Sequence, residues 1–366
     1  MKKHKVIISG GGTGGHIFPA LAIAKELDKK HRGIDFLFVG ASNRMEMQKV
    51  PAYGYNIIGL WISGFQRKFT VRNLFFPLKL ILSLFHSIYI IKKFNPDLVI
   101  GTGGYASGPI LFVASKLKIP CIIQEQNSYP GITNRLLGNH VDKICVAYDN
   151  MQRYFPQEKI ILTGNPIRQN ILNFDKKNCD VNDFKFKNKS ITVLVVGGSL
   201  GAKSINQVIE KNLKIFEQKK INIIWQTGKT YYDANVNFIK ANKYKNLMIL
   251  DFVKNMSDAY SSADIIISRA GAIAISELCC VGKPVILVPS PNVSENHQYK
   301  NAQSLVNKNA ALLVKDKEAN CKLVDVLIEL CENKDLQIDL KKNIKNLAIS
   351  DASSKIATIA LNLIKK

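Results

Sequence analysis

A chain of 366 residues with 46% hydrophobic side chains is too long for one ordinary core, and two domains of about 150 residues each are the natural expectation. Its net charge of +23 attracts polyanions such as anionic lipid or phosphorylated substrates, but no zinc-finger or RRM-like signature accompanies it, so nucleic acid is not an expected partner. Seven cysteines, odd in number and without metal-ligand spacing, point to a reducing cytoplasm rather than a disulfide framework; no secretory signal precedes the first strand, and the longest apolar run, Leu80 to Ile91, falls short of the roughly 20 residues that span a bilayer.

Taken in order, the chain opens with a strand at Val6 to Ser9, a glycine loop at Gly10 to Gly15 and a helix over Ala20 to Asp28 with Pro19 in its first turn. Gly10, Gly12 and Gly15 have the dinucleotide spacing, yet the second strand, Phe36 to Val39, ends in Gly40-Ala41-Ser42 with no acid to hold a ribose; Asp35 sits at its start. A nicotinamide or flavin cofactor is therefore not expected. His16 follows the glycines, where an imidazole could act as a general base with its pKa drawn down by the helix N-terminus, or could simply hydrogen-bond the loop.

Between Trp61 and Phe94, Phe65, Arg67, Lys68, Phe69, Arg72, Phe75, Phe76 and Lys79 interleave aromatic and cationic side chains, a pattern suited to an anionic membrane surface. The part from Leu80 to Ile91 fits a buried core helix equally well. A strand at Leu98 to Ile100 leads into another glycine loop, Gly101 to Pro109, and a strand at Cys121 to Ile123 ends in Gln124-Glu125-Gln126-Asn127, where open α/β sheets bind ligands. There Glu125 could be a base or an orienting group, and Asn127 could hold a sugar hydroxyl.

After a strand at Lys143 to Val146 the pattern pauses at Gly164-Asn165-Pro166, then restarts with strands at Ile191 to Val196, Ile221 to Gln226, Met248 to Leu250, Ile265 to Ile267 and Val285 to Val288. The restart repeats the opening, with Gly197-Gly198-Ser199-Leu200-Gly201-Ala202 after its first strand. Arg168, just past the pause, could clamp a diphosphate or form a plain interdomain salt bridge. Arg269-Ala270-Gly271-Ala272 leads into a helix ending at Gly282, whose N-terminal N–H groups suit a phosphate. Glu277 lies about 9 Å along that helix at about 1.5 Å per residue, a reasonable reach to ribose hydroxyls. The C-terminal helix, Ser353 to Ile364, could pack on either half.

Six segments in this order, GGTGGHIFPA at 11–20, GTGGYASGP at 101–109, QEQNSYPGITNRLL at 124–137, GNPIR at 164–168, GGSLGA at 197–202 and RAGAIAISEL at 269–278, together resemble glycosyltransferase family 28. The resemblance implies the GT-B class of α/β fold, two Rossmann-like doubly wound domains facing a cleft. Residues 1–164 would form the acceptor and membrane-associating domain, with helix 350–366 able to pack back on it, and 165–349 the domain for the donor, UDP-N-acetylglucosamine.

By motif position, the resemblance assigns donor binding to Thr13, Gly14, Gly15, Asn127, Arg168, Ser199, Val253, the run Ala272, Ile273, Ala274, Ile275, Ser276 and Glu277, and Gln298, with Val253 meeting the uracil through its backbone. Gly103, Gly104 and Tyr105 form the loop for the acceptor diphosphate, and His16 and Glu125 are the catalytic candidates. The activity implied is transfer of N-acetylglucosamine to lipid I, the undecaprenyl-linked acceptor of peptidoglycan synthesis, at the cytoplasmic face of the bacterial membrane by a peripheral protein. No cofactor is implied, and the chain has no Asp-x-Asp to hold a metal. Two departures stand out: Gln124 occupies a position where the family often has His, and Ser294-Glu295-Asn296-His297-Gln298 is not its commonest version. A diacylglycerol acceptor, a sugar-nucleotide epimerase and a binding-only protein are the alternatives.

Overall fold

Val6, Ile7 and Ile8 offer no polar face, as a strand covered by helices on both sides requires, and all three are fully buried in the computed structural model. The structure describes residues 3–64, 74–172, 184–241 and 244–365. In the first half, β1 (Lys5–Gly10), β2 (Asp35–Ala41), β3 (Asn56–Leu60), β4 (Leu98–Gly103), β5 (Cys121–Glu125), β6 (Lys143–Val146) and β7 (Ile160–Leu162) form one sheet in the order β3-β2-β1-β4-β5-β6-β7. Each described pairing in it is parallel, with Ile7 opposite Leu37 on one side and Val99 on the other.

The second half builds another parallel sheet from β8 (Thr192–Val196), β9 (Asn222–Gln226), β10 (Leu247–Leu250), β11 (Ile265–Ser268), β12 (Val285–Leu287) and β13 (Leu312–Leu313), in the order β10-β9-β8-β11-β12-β13. Val193, Val195, Phe216, Ile223 and Trp225 anchor its core. The buried Trp225 indole donates to Asn206 Oδ1 at 3.0 Å, so its one polar atom is satisfied.

Strand order reverses between β1 and β4 in the first sheet and between β8 and β11 in the second. At such a switch point the loops leaving adjacent strands turn to opposite faces and open a crevice at the carboxyl ends. The glycine loops after β1 and β4 lie at the first reversal, and those after β8 and β11 at the second.

The chain divides into two units, Met1–Ile167 with Ile349–Lys366, and Arg168–Ala348. Asn165 stays with the first because Gln124 Nε2 donates to its Oδ1 at 2.9 Å and its own Nδ2 donates to the Gln126 carbonyl at 3.0 Å. The C-terminal helix Ala352–Ile364 also joins the first unit, burying Ile356, Ala357 and Ala360 in the core that holds Val6, Ile8 and Leu27.

Several elements differ from the sequence reading. The first helix is Gly14–Lys30, so Pro19 lies inside it rather than in its first turn, and His16 is drawn into the first turn. β3, β7 and β13 are additional strands. The helix Phe76–Phe94 packs one side on the core, burying Ser83, Ser87, Ile90 and Ile91 with Leu80, Leu84, Ile88 and Phe94 partly buried against it, while Phe75, just before it, and Leu78, Ile81, Leu82, Phe85 and Tyr89 are exposed, Phe85 by 66%. The Ser83 hydroxyl donates to the Trp61 carbonyl at 3.2 Å and Lys79 Nζ sits 5.5 Å from the Trp61 ring centroid. Apolar side chains thus occupy both the core-facing and the exposed side, where an ordinary surface helix is polar outward. Phe65, Arg67, Lys68, Phe69 and Arg72 lie outside the described residues. Among the described residues, no helix is long and apolar enough to cross a membrane.

Candidate functional site

At the first switch point, Gly12 turns the chain with φ +82° and Thr13, extended, precedes the helix. His16 Nδ1 lies 2.9 Å from the Gly11 carbonyl and 3.3 Å from Thr13 Oγ1. A carbonyl only accepts, so Nδ1 carries the hydrogen of the neutral ring and Nε2 is the basic atom. The ring rests against the β4 loop, where Gly103 and Gly104 have φ +99° and +84°. A Cβ on Gly103 would lie 3.1 Å from His16 Nε2, and one on Gly104 would lie 2.4 Å from the Gly11 oxygen. Only glycine lets this loop approach so closely. Tyr105 packs its ring beside Gly12.

The His16 pKa is lowered, as expected, with burial the main cause; the Gly11 hydrogen bond and the charge of Glu46 partly offset it. Glu46 itself was missed, because it follows β2 at the start of the helix Glu46–Ala52 instead of ending the strand. It is fully buried and accepts from the Gly12 N–H and the Ala41 N–H, each at 3.0 Å. The fold thus does hold an acid near the dinucleotide-fold position, but its oxygens serve the glycine loop.

Glu125, at the end of β5, is buried and accepts from Asn127 N at 2.9 Å, Asn127 Nδ2 at 3.2 Å, Gly131 N at 3.2 Å and Asn134 Nδ2 at 2.8 Å. Burial raises its pKa and these hydrogen bonds pull the other way. Of the two roles open to it, this geometry fits the orienting one, since both oxygens are occupied in shaping the loop that carries Asn127. Gln124 is also buried, linking β5 to Asn165.

At the second switch point, Ser199 stands exposed at the tip of the β8 loop. That loop is held by Gly201, φ +77°, where a Cβ would lie 1.8 Å from the Thr227 carbonyl oxygen, and by Gln226 Nε2, which donates to the Gly198 carbonyl at 2.9 Å. Gln226 Oε1 accepts the Val253 N–H at 2.9 Å, which commits that N–H inside the protein. The helix Ala272–Val281 starts after Gly271, which has no side chain to cap it, and ends at Gly282 in the left-handed region. Ala272, Ile273 and Ala274 form its first turn, Ile275 faces the core, and the Ser276 hydroxyl turns back to the Ala272 carbonyl at 3.1 Å.

Arg168 and Glu277 meet here as a two-pronged pair, Nε to Oε1 at 2.8 Å and Nη2 to Oε2 at 2.9 Å. Glu277 is buried while Arg168 is half exposed. Arg168 therefore does form a salt bridge, but within one unit rather than between domains as the sequence alternative has it, and with the residue chosen for the ribose. Gln298 Oε1 accepts from Ala270 N at 3.3 Å and Ser290 N at 2.8 Å, pinning two loops, and His297 begins the next helix, His297–Val306. Arg269, despite heading the motif, turns inward to the Val288 carbonyl and Asp316.

Residues 6–146 match the glycosyltransferase family 28 N-terminal domain and residues 192–356 its C-terminal domain. A Flavobacterium psychrophilum protein is 50% identical over 366 residues, covering 100% of this chain and 99% of its own; it bears the name UDP-N-acetylglucosamine--N-acetylmuramyl-(pentapeptide) pyrophosphoryl-undecaprenol N-acetylglucosamine transferase. A Cytophaga hutchinsonii protein of the same name is 49% identical over 364 residues, 99% of this chain and 98% of its own. Among solved structures, Acinetobacter baumannii MurG superposes with a TM-score of 0.80 at 28% identity, covering 98% of this chain and 99% of that one.

Proposed function

The chain belongs to glycosyltransferase family 28, and on that premise we propose that it transfers N-acetylglucosamine from UDP-N-acetylglucosamine to the C4 hydroxyl of the N-acetylmuramoyl-pentapeptide of lipid I, with inversion, giving lipid II for peptidoglycan. The observation that carries this reading is His16, an imidazole in a glycine loop with Nδ1 tied to a carbonyl and Nε2 left as the base. The acceptor oxygen attacks the anomeric carbon as the bond from that carbon to the diphosphate oxygen breaks. UDP leaves with the bonding pair, and the proton of the hydroxyl passes to His16 Nε2.

Charge grows on the departing diphosphate. The N–H groups at the start of Ala272–Val281, the loop at Ser199 and the Arg168 guanidinium oppose it. In the second unit Val253 serves the uracil, Glu277 the ribose and Gln298 holds the loops beside it; in the first, Thr13, Gly14, Gly15 and Asn127 are donor residues by motif position, and Gly103, Gly104 and Tyr105 take the acceptor diphosphate. Arg168 and Glu277 serve the nucleotide by exchanging part of their mutual pairing for it. Arg168→Ala should therefore raise the KM for UDP-N-acetylglucosamine more than tenfold. It should also lower stability by about 1.5–3 kcal/mol, because Glu277 loses a charged hydrogen-bond partner. Steady-state kinetics and thermal melting check both, and an unchanged KM would remove Arg168 from the donor site.

The exposed apolar face of Phe76–Phe94, flanked by Lys79, Lys92 and Lys93, supports docking on an anionic membrane surface, where the lipid-linked acceptor resides. Phe85→Glu is expected to abolish co-sedimentation with anionic vesicles while leaving turnover of a short-chain, water-soluble acceptor intact. Retained vesicle binding would place the membrane contact elsewhere. The reaction itself is tested by following UDP release with lipid I, with diacylglycerol and with no acceptor: release with lipid I alone supports the proposal, release with diacylglycerol changes the acceptor, and conversion of the donor without acceptor indicates an epimerase.

A further inference from the structure

We infer that Glu46 is a positioning residue for His16, acting through the single peptide unit between Gly11 and Gly12. This rests on His16 being the base. Glu46 Oε2 accepts the Gly12 N–H at 3.0 Å, and the carbonyl of that same peptide unit, on Gly11, accepts from His16 Nδ1 at 2.9 Å. A carboxylate drawing on one end of an amide shifts electron density toward its oxygen, because the C–N bond is delocalised. The oxygen then holds the imidazole N–H more firmly, as hydrogen bonds in series polarise one another. Glu46 thus does through a peptide what the carboxylate of a Ser-His-Asp triad does directly: it fixes the ring tautomer and stabilises the imidazolium that forms as the proton arrives.

The packing is built around this carboxylate. Glu46 is fully buried, its second oxygen is held by Ala41 N–H at 3.0 Å, and a Cβ on Gly11 would lie 2.1 Å from Oε1. A Cβ on Gly40 would lie 2.6 Å from its Cγ. Among the described residues, Thr13 Oγ1 lies 3.3 Å from Nδ1, Gly103 and Gly104 lie against the ring and the Asn134 amide lies beside Gly103, while Tyr105 interacts with Arg44. The Glu46 charge also raises the His16 pKa against the desolvation that lowers it.

Glu46→Gln removes the charge and should lower kcat roughly tenfold or more, the scale on which groups that orient a reacting imidazole act, with the donor KM unchanged. The acid limb of the pH–rate profile should move to lower pH, since the lost charge favoured the protonated ring. Glu46→Asp, which keeps the charge, should leave that limb near its wild-type position. On a His16→Ala background Glu46→Gln should add nothing. An equal further loss there, or a wild-type kcat and acid limb in the single variant, would overturn the relay. Wild-type turnover in His16→Ala would instead overturn the base assignment on which it rests. Should Glu46→Gln not fold, the 15N-histidine spectrum of the unmodified protein decides: the relay requires the Nδ1–H tautomer of neutral His16, and the Nε2–H tautomer contradicts it.

Discussion

His16→Ala is expected to lower kcat by roughly 10²–10⁴, the usual contribution of a general base, and to change the KM for UDP-N-acetylglucosamine only a few-fold. The reason lies in which atoms the ring commits. Nδ1 is held by Gly11 and Nε2 is the basic nitrogen, so the side chain can remove a proton without first breaking its own support. With His16 as the proposed base, activity would require the neutral ring. Burial holds its pKa below the ordinary value of 6.5, so kcat/KM should rise with pH through that depressed value and stay high above it. In His16→Ala this acid limb should vanish. Turnover near wild type across the same pH range would assign the proton to another group.

Gly104→Ala should cost almost as much without touching a reacting atom. Its φ of +84° strains any other residue, by roughly 1–2 kcal/mol, and the added methyl would lie 2.4 Å from the Gly11 oxygen that holds His16. Either the β4 loop or the Gly11 carbonyl must shift. A displacement of about 1 Å near the chemistry can reduce rate on the order of 10²-fold, so kcat should fall by that much while the melting temperature falls modestly. Gly108→Ala is the control: Gly108 lies in the helix Ser107–Lys116, where an added Cβ would meet the Thr133 methyl at 3.4 Å, and its kcat should stay near wild type. Equal kcat in the two variants would show that the close loop approach does not matter to catalysis.

The fold was legible wherever burial erased the polar face. Apolar runs such as Cys121 to Ile123 and Val193 to Val196 announced buried parallel strands, and the glycine loops after β1, β4 and β8 marked the switch points. Weak elements were not legible: β3 (Asn56–Leu60) includes a glycine and sits at a sheet edge, and β13 is only Leu312–Leu313. Pro19 misled because proline favours a first turn, yet here helix packing outweighs the one hydrogen bond it removes.

In the candidate site, residue types were readable but their partners were not. Arg168 and Glu277 pair across 109 positions of sequence, and Glu46 reaches Gly12 across 34, separations at which no local pattern survives. Glu125 shows the same limit from the other side. A carboxylate at a strand's end was open to a base or an orienting role, and only the structure shows Asn127, Gly131 and Asn134 donating to it.

The most direct test of the proposed activity is the anomeric configuration of the product. UDP-N-acetylglucosamine labelled with 13C at the anomeric carbon, incubated with lipid I and the full chain, should yield one β-linked N-acetylglucosamine on the muramoyl C4 oxygen for each UDP released. An α-linked product, or label appearing in an epimerised nucleotide sugar with no acceptor modified, would contradict inverting transfer with His16 as base.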